Sequence, residues 1–236
     1  MVVLDAGNAL NSDTRKDVNA ASEGRITIEA MNVMGYDAMA LGPSDLELGV
    51  ELLRARMAEA RFAVLSGNVL IDGEPLAEPY AILETGGLKV AVLGLTAPLE
   101  APIDGIEVLD PLAAAGEYVP ALRRQADIVV VLANLGQDVE EQLLESVGGI
   151  DMVIGGGSGV PSGNVPRGET PRWARAGGLG EYVGVTILLL DENNGVAGYS
   201  HQSLLLGPAY SDDQKMVELK ARYQEQYMTE PTAEPQ

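Results

Sequence analysis

Cysteine is absent from this 236-residue chain, and histidine, tryptophan and phenylalanine occur once each. Without cysteine there can be no disulfide, no thiolate metal site and no Cys nucleophile. The single imidazole, His201, has no His or Cys companion with which to ligate a metal. Its place among alternating apolar neighbours reads as a satisfied structural histidine. Positive charge is also scarce: 15 basic residues face 35 acidic ones, a formal net charge of −20. Such a chain repels phosphate backbones and anionic lipid surfaces, which argues against nucleic-acid and membrane-surface binding. The acidic excess itself reads as a solubility device. No apolar run approaches the ~20 residues of a membrane span. The opening residues lead straight into a strand pattern with no signal peptide, so a soluble protein is expected.

What is present is 46% hydrophobic residues, enough for one large domain with a layered core. "VVLDAG" (residues 2–7) reads as a short strand, followed by a helix over 23–34 closed by Gly35. "DAMALG" reads as a second strand. Residues 50–60 read as a helix with Leu52, Leu53 and Met57 on one face, and "FAVLSGNV" (62–69) as the next strand. "YAILETGGLKVAVLGL" has the form of a hairpin turning at Gly86 and Gly87. Helices over 111–125 and 139–147 alternate with strands "DIVVVLANLG" and "DMVIGGG". A second hairpin turns around Asn193, Asn194 and Gly195, and an amphipathic helix covers 212–227. Residues 228–236 have the Pro, Thr and Glu content of a disordered tail or linker.

Alternating strands and helices place ligands at the carboxyl ends of strands. Four stretches occupy such ends: "DAGNAL", "LGPSDLELG", "LANLGQD" and "IGGGSGVP". Asp45 and Glu47 could be taken for an acid/base pair, but a turn or capping role is preferred, with Asp45 as N-cap of the helix in "LGVELLRARM". Trp173 and the scattered tyrosines read as packing residues.

In their order and spacing these stretches resemble the calcineurin-like metallophosphoesterases, and in particular the catalytic domain of the bacterial 5′-nucleotidase family. "MNVMGYDAMALGPSDLELG" is similar to that family's "MNxxGYDAxxxGNHDFDxG", "KVAVLGLTAP" to its "KVAxIGLTTP", and "DMVIGGGSG" to its "DxIIGGHSH". The likeness runs over about residues 2–227. It implies a four-layer α/β/β/α sandwich with mixed sheets, in which two divalent metals activate water and clamp a phosphate.

Carried over position by position, the resemblance implies a degenerate site. The bridging Asp of "DAGD" falls on Asn8, the Asn of "GNHD" on Pro43 and its catalytic His on Ser44. The Asp that orients that His falls on Glu47, the ligand His of "SHLG" on Asn134, and the two His of "GHSH" on Gly157 and Gly159. Two neutral amides cannot offset the mutual repulsion of two divalent ions, so no metal, no cofactor and no catalytic residue is expected. Gly7, Gly42, Asp45, Gly136, Gly155 and Gly156 remain as scaffold, and "GGGSG" reads as a turn left by lost ligands in preference to a phosphate cradle.

The expectation is a catalytically inactive relative acting as a binding or structural module over residues 1–227. The alternative is an active phosphate-monoesterase of the 5′-nucleotidase type whose site is completed by segments absent from this chain. Relative to the family, its first strand, bearing "DxH", and its C-terminal substrate domain are expected to be lacking. The N-terminal strand would then present an apolar edge, a place for a protein partner or for self-association. Periplasmic or extracellular placement is implied by the resemblance alone.

Overall fold

The structure is a computed structural model that describes residues 1–11, 17–157, 160–163, 165–168, 172–178 and 180–228. In chain order, β1 (Leu4–Asp5), α1 (Val18–Ala21), α2 (Arg25–Met34), β2 (Ala38–Ala40), α3 (Pro43–Leu46), α4 (Val50–Glu59) and β3 (Ala63–Leu65) make a parallel α/β unit. Next come β4 (Val69–Ile71), β5 (Glu74–Pro75), β6 (Tyr80–Thr85), β7 (Leu88–Thr96), β8 (Ile106–Val108), α5 (Pro111–Leu122), β9 (Ile128–Asn134), α6 (Gln137–Ser146) and β10 (Met152–Gly155). The chain closes with β11 (Val165–Gly168), β12 (Trp173–Arg175), β13 (Tyr182–Leu190), β14 (Val196–Leu205) and α7 (Gln214–Met228).

These strands form a five-stranded sheet of order β12-β10-β9-β7-β6 and three-stranded sheets β1-β2-β3, β11-β14-β13 and β5-β4-β8. The five-stranded sheet is mixed: β7, β9, β10 and β12 run parallel, and β6 is antiparallel to β7. Gly86 and Gly87 take φ of 60° and 79°, the two positive values a tight hairpin turn of right-handed twist requires.

Strand parity builds the layers. Val90, Val92, Ile128, Val130 and Leu132 face Ala38, Ala40 and Leu65 across the gap between sheets. The odd-numbered neighbours Ala91, Leu93, Val129 and Val131 turn to the opposite face, against Ala115, Val119 and Leu122 of α5 and Leu143 of α6. On the far side Met39 and Leu41 meet Ile28 and Met31 of α2 and Leu53 of α4. The result is the four-layer α/β/β/α sandwich, with every residue of β9 buried at its centre.

Three expectations need correction. The strand anticipated over 62–69 is two strands in different sheets. The break falls at residues 66–68, where the Gly67 N–H donates to Gly94 O at 2.8 Å. Buried Asn68 accepts from Thr96 N at 2.9 Å and donates to Thr96 O and Leu109 O at 2.8 and 2.9 Å. Those bonds divert the backbone out of its ladder. On α4 the fully buried residues are Leu53 and Arg56, with Leu52 and Met57 only partly covered. Arg56 is tolerated there because its Nη2 lies 3.2 Å from Glu59 Oε1. Residue 228, assigned to the tail, ends α7, and the rest of the tail, 229–236, lies outside the described residues.

Two glycine substitutions should separate close packing from backbone freedom. A Cβ on Gly94 would meet Leu65 O at 2.7 Å and Leu65 Cβ at 2.8 Å, whereas one on Gly116, inside α5, meets nothing within 4 Å. Gly94→Ala is expected to destabilise by roughly 2 kcal/mol or more through overpacking. Gly116→Ala should stabilise by about 0.5–1 kcal/mol through helix propensity. Urea midpoints of the two variants against the parent check the opposite signs.

Candidate functional site

Four strand-end turns converge: that after β1, that between β2 and α3, that between β9 and α6, and that after β10. They approach so closely that side chains would not fit between them. A Cβ on Gly42 would lie 2.2 Å from Asn8 Oδ1, and one on Gly156 would lie 2.3 Å from Ala6 O and 2.5 Å from Asn134 Nδ2.

Asp45 is the hub of this region. It is fully buried, one oxygen accepting from Asn8 N and Gly42 N, each at 2.8 Å, and the other from Leu10 N at 2.8 Å. Burial pushes its carboxyl up, and these backbone donors pull it down. The expected N-cap role is therefore displaced: Asp45 sits inside α3 and ties its start to the β1 turn, while the N-cap of α4 is Gly49, with no side-chain cap bond.

The sequence-derived positions Asn8, Pro43, Ser44, Asn134 and Gly157 gather around this hub. Asn8, at φ 63°, is of a residue type that tolerates the left-handed region. Its Oδ1 accepts from Ser44 N at 2.9 Å, and its Nδ2 donates to Asn134 Oδ1 at 3.2 Å. Asn134 Nδ2 donates in turn to Ala6 O at 2.9 Å. Gly157 takes φ 80°, and a Cβ there would be 3.6 Å from Asn134 Oδ1. Glu47 is exposed and accepts from Asn11 Nδ2 at 3.1 Å. Gly159 lies outside the described residues.

The donor set does not fit a pair of divalent cations. Both Asp45 oxygens already accept from amides, Asn8 Oδ1 and Asn134 Oδ1 are turned to N–H donors, and Pro43 and Gly157 offer no side-chain donor atom. Among the described residues no group of three or more His, Cys, Asp or Glu side chains could hold a metal ion. His201 is elsewhere, buried on β14 between Thr186 Oγ1 at 2.8 Å and Ser203 Oγ at 3.1 Å, and burial lowers its pKa. The structural reading of that residue holds.

Two groups escaped the sequence reading. Asp5, at the end of β1, accepts from Gly7 N at 2.8 Å. Although the residue is only half-buried, its carboxyl is desolvated, and burial raises its pKa to about 6, opposed by the Gly7 N–H and reinforced by Asp45. Glu140 of α6, wholly buried, accepts from Leu135 N, Gly136 N, Trp173 Nε1 and Arg175 Nη2 at 3.2, 3.1, 2.9 and 2.7 Å. Its place four residues after Gly136 was the only available signal. Trp173, expected as packing, borders the core beside α5 and α6 and also clamps Glu140.

No family model matches the chain. The 5′-nucleotidase of Bos taurus is 28% identical over 244 residues, covering 90% of this chain and 42% of that protein. Protein UshA of Yersinia enterocolitica is 32% identical over 183 residues, 68% of this chain and 33% of that protein. The crystal structure of a 5′-nucleotidase precursor from Thermus thermophilus superposes with a TM-score of 0.82 at 27% identity, over 96% of this chain and 50% of that one. The chain spans less than half the length of these curated relatives.

Asp5 makes stability depend on pH. A carboxyl raised from 3.8 to about 6 is neutral in both states well below about pH 4; between about pH 4 and 6 only the unfolded state ionises, so stability falls across that window and stays lower above it. Asp5→Asn keeps an acceptor for Gly7 N and removes the charge. It should raise the Tm at about pH 7.5 by roughly 4–8 °C, from on the order of 2 kcal/mol. The gain should vanish near pH 4, as thermal melts at the two pH values would show.

Proposed function

Because the chain belongs to the calcineurin-like phosphoesterases, on their 5′-nucleotidase side, we propose that it is a non-catalytic member kept as a binding or structural module. The observation that supports this most is the hydrogen-bonded bridge Ser44–Asn8–Asn134–Ala6 lying across the turns where two metals would be held. Phosphoryl transfer in such a site depends on anionic and imidazole ligands to concentrate positive charge on the phosphate. Here the converging side chains are neutral amides, a proline and a hydroxyl, and the Asp45 carboxylate between them serves backbone N–H groups. With no cation there is nothing to lower the pKa of water or to neutralise a phosphate ester, and Ser44 has no imidazole beside it to act as base.

On this reading the module takes no metal ion and no cofactor, works outside the cytoplasm as the resemblance suggests, and uses the exposed edge of β1 to meet a protein. No helix among the described residues is long and apolar enough to cross a membrane. An active phosphate-monoesterase is the competing outcome of the test. Protein purified without chelators should carry substoichiometric Zn, Mn, Fe and Ni by elemental analysis. With Mn²⁺, Zn²⁺, Co²⁺ or Mg²⁺ it should release no more phosphate from p-nitrophenyl phosphate or 5′-AMP than an Asn8→Ala, Asn134→Ala double variant. Turnover that this double variant abolishes would overturn the reading.

A further inference from the structure

Beside α5 the surface opens into a cleft of about 400 Å³, a size within the roughly 300–1,000 Å³ of small-molecule sites. None of its lining residues belongs to the four converging turns. The break at residues 66–68 makes one wall: it carries the backbone out of β3 into β4, which pairs with β5 and β8 in a separate sheet. α5, packed on β7, makes the other. The α5 residues that face the cleft are Ala113, Ala114, Glu117 and Tyr118, one stripe of the helix at i, i+1, i+4 and i+5. The two alanines leave the space that larger side chains would fill. Gly67 leaves more, since a Cβ there would lie 3.5 Å from Tyr118 Cε2. The Tyr118 ring is held in place by Tyr80, edge-on at 6.2 Å between centroids.

Two features of this cleft point to a ligand. Its floor is made by the buried residues Ser66, Val69 and Ala114, and Ser66 Oγ is buried with no hydrogen-bond partner. An unmet buried hydroxyl is costly, and this one lies under an open cleft. The rim is one-signed: the lining includes Asp110 and Glu117, both exposed, and no Lys, Arg or His. The start of α5 offers no counterweight that would draw an anion. Pro111 has no N–H, and Asp110 already takes the Ala113 N–H on its Oδ1 at 2.7 Å. Between rim and floor the walls are apolar, with flat faces from Pro75, Pro79 and Tyr118 and the side chain of Leu70.

We propose that this cleft binds a small aromatic amine, with its ring between the proline wall and Tyr118, its ammonium group at Glu117 and Asp110, and a polar ring N–H donating to Ser66 Oγ. The flat apolar walls select the ring. The acidic rim selects the positive charge and, in a chain of net charge −20, turns anions away. The unpartnered hydroxyl selects a ring that carries a hydrogen-bonding group over a plain hydrocarbon. Binding here uses no residue of the four turns and stands whether or not they hydrolyse a phosphate ester.

The probe is tryptamine, titrated into the full chain and followed by amide resonances. It should bind saturably with a Kd on the order of 1 mM or tighter, shifting resonances within 66–70 and 113–118. Indolepropionate, the same ring with a carboxylate in place of the ammonium, should bind at least about tenfold more weakly. Tryptamine methylated on its ring nitrogen should lose about fivefold, as should tryptamine itself on Ser66→Ala, and the two changes together should cost no more than either alone. Glu117→Lys, on the exposed rim, should weaken tryptamine about tenfold and strengthen indolepropionate. Ala113→Trp, at an exposed position that tolerates bulk, should fill the cleft and abolish binding of both. Where Ser66→Ala fails to fold, the methylated ligand on the parent decides. Equal affinity for the two ligands, no saturable shift up to about 10 mM, shifts confined to other residues, or unchanged binding by folded Ser66→Ala or Ala113→Trp would overturn the proposal.

Discussion

The three backbone N–H groups held by Asp45 are the constraint on which the candidate site rests. Leu10 N and Gly42 N are buried donors and Asn8 N is partly buried, and all three are met by Asp45. An unmet buried donor costs about 1–3 kcal/mol, so one carboxylate that satisfies three fixes the β1 turn against α3. Asn8 then becomes the keystone of the next layer of contacts: its amide faces Ser44 N on one side and Asn134 on the other, and Asn134 returns to Ala6 O. Strand ends from both sheets are linked by neutral groups through a closed set of donors and acceptors.

A second, ionic tie holds the β10 side of the site. Glu140 and Arg175 form a buried pair at 2.7 Å, with side chains 0% and 8% exposed. Such a pair contributes little net stability by charge alone, because desolvation offsets the attraction. Its value here lies in Glu140 also accepting from Trp173 Nε1, Leu135 N and Gly136 N, so α6, the β9 turn and β12 share one anchor. The Arg175 guanidinium lies over the Trp173 ring at 5.5 Å. The Gly155 Cα must stay bare, since a Cβ would be 2.2 Å from Glu140 Oε2.

What the sequence revealed, and what it concealed, follows from the range of the interactions. β9 was legible because IVVVLAN is buried on both faces and reads as a continuous apolar run. The two hairpins were legible because their turns carry glycine or asparagine where positive φ is needed. The break at residues 66–68 was hidden because it is enforced by Thr96 and Leu109, 28 and 41 residues away from Asn68. Asp45 was legible as a turn residue, but its partners lie 35 and 37 residues upstream at Leu10 and Asn8, so a local helix N-cap was the natural reading. The β5, β8 and β12 strands, of two or three residues each, carry too little pattern to be seen. Asp5 carries no sequence signal of its raised pKa, which arises from burial and the neighbouring Asp45.

The persistence of the site's glycines beside its neutral side chains has a physical cause. Gly42 and Gly156 are demanded by the approach of Asn8, Ala6 and Asn134 within distances no Cβ can share. That demand comes from the sheets bringing four turns together, a consequence of Ala38, Ala40, Val92, Val130 and Leu132 packing between the layers. Charge at Asn8 or Asn134 contributes nothing to it. The chain of hydrogen bonds from Ser44 through Asn8 and Asn134 to Ala6 ties the turns together with neutral groups. The resulting molecule keeps the shape of a phosphoesterase domain through its core and its glycines, with Asn8 and Asn134 serving as structural joints between the turns.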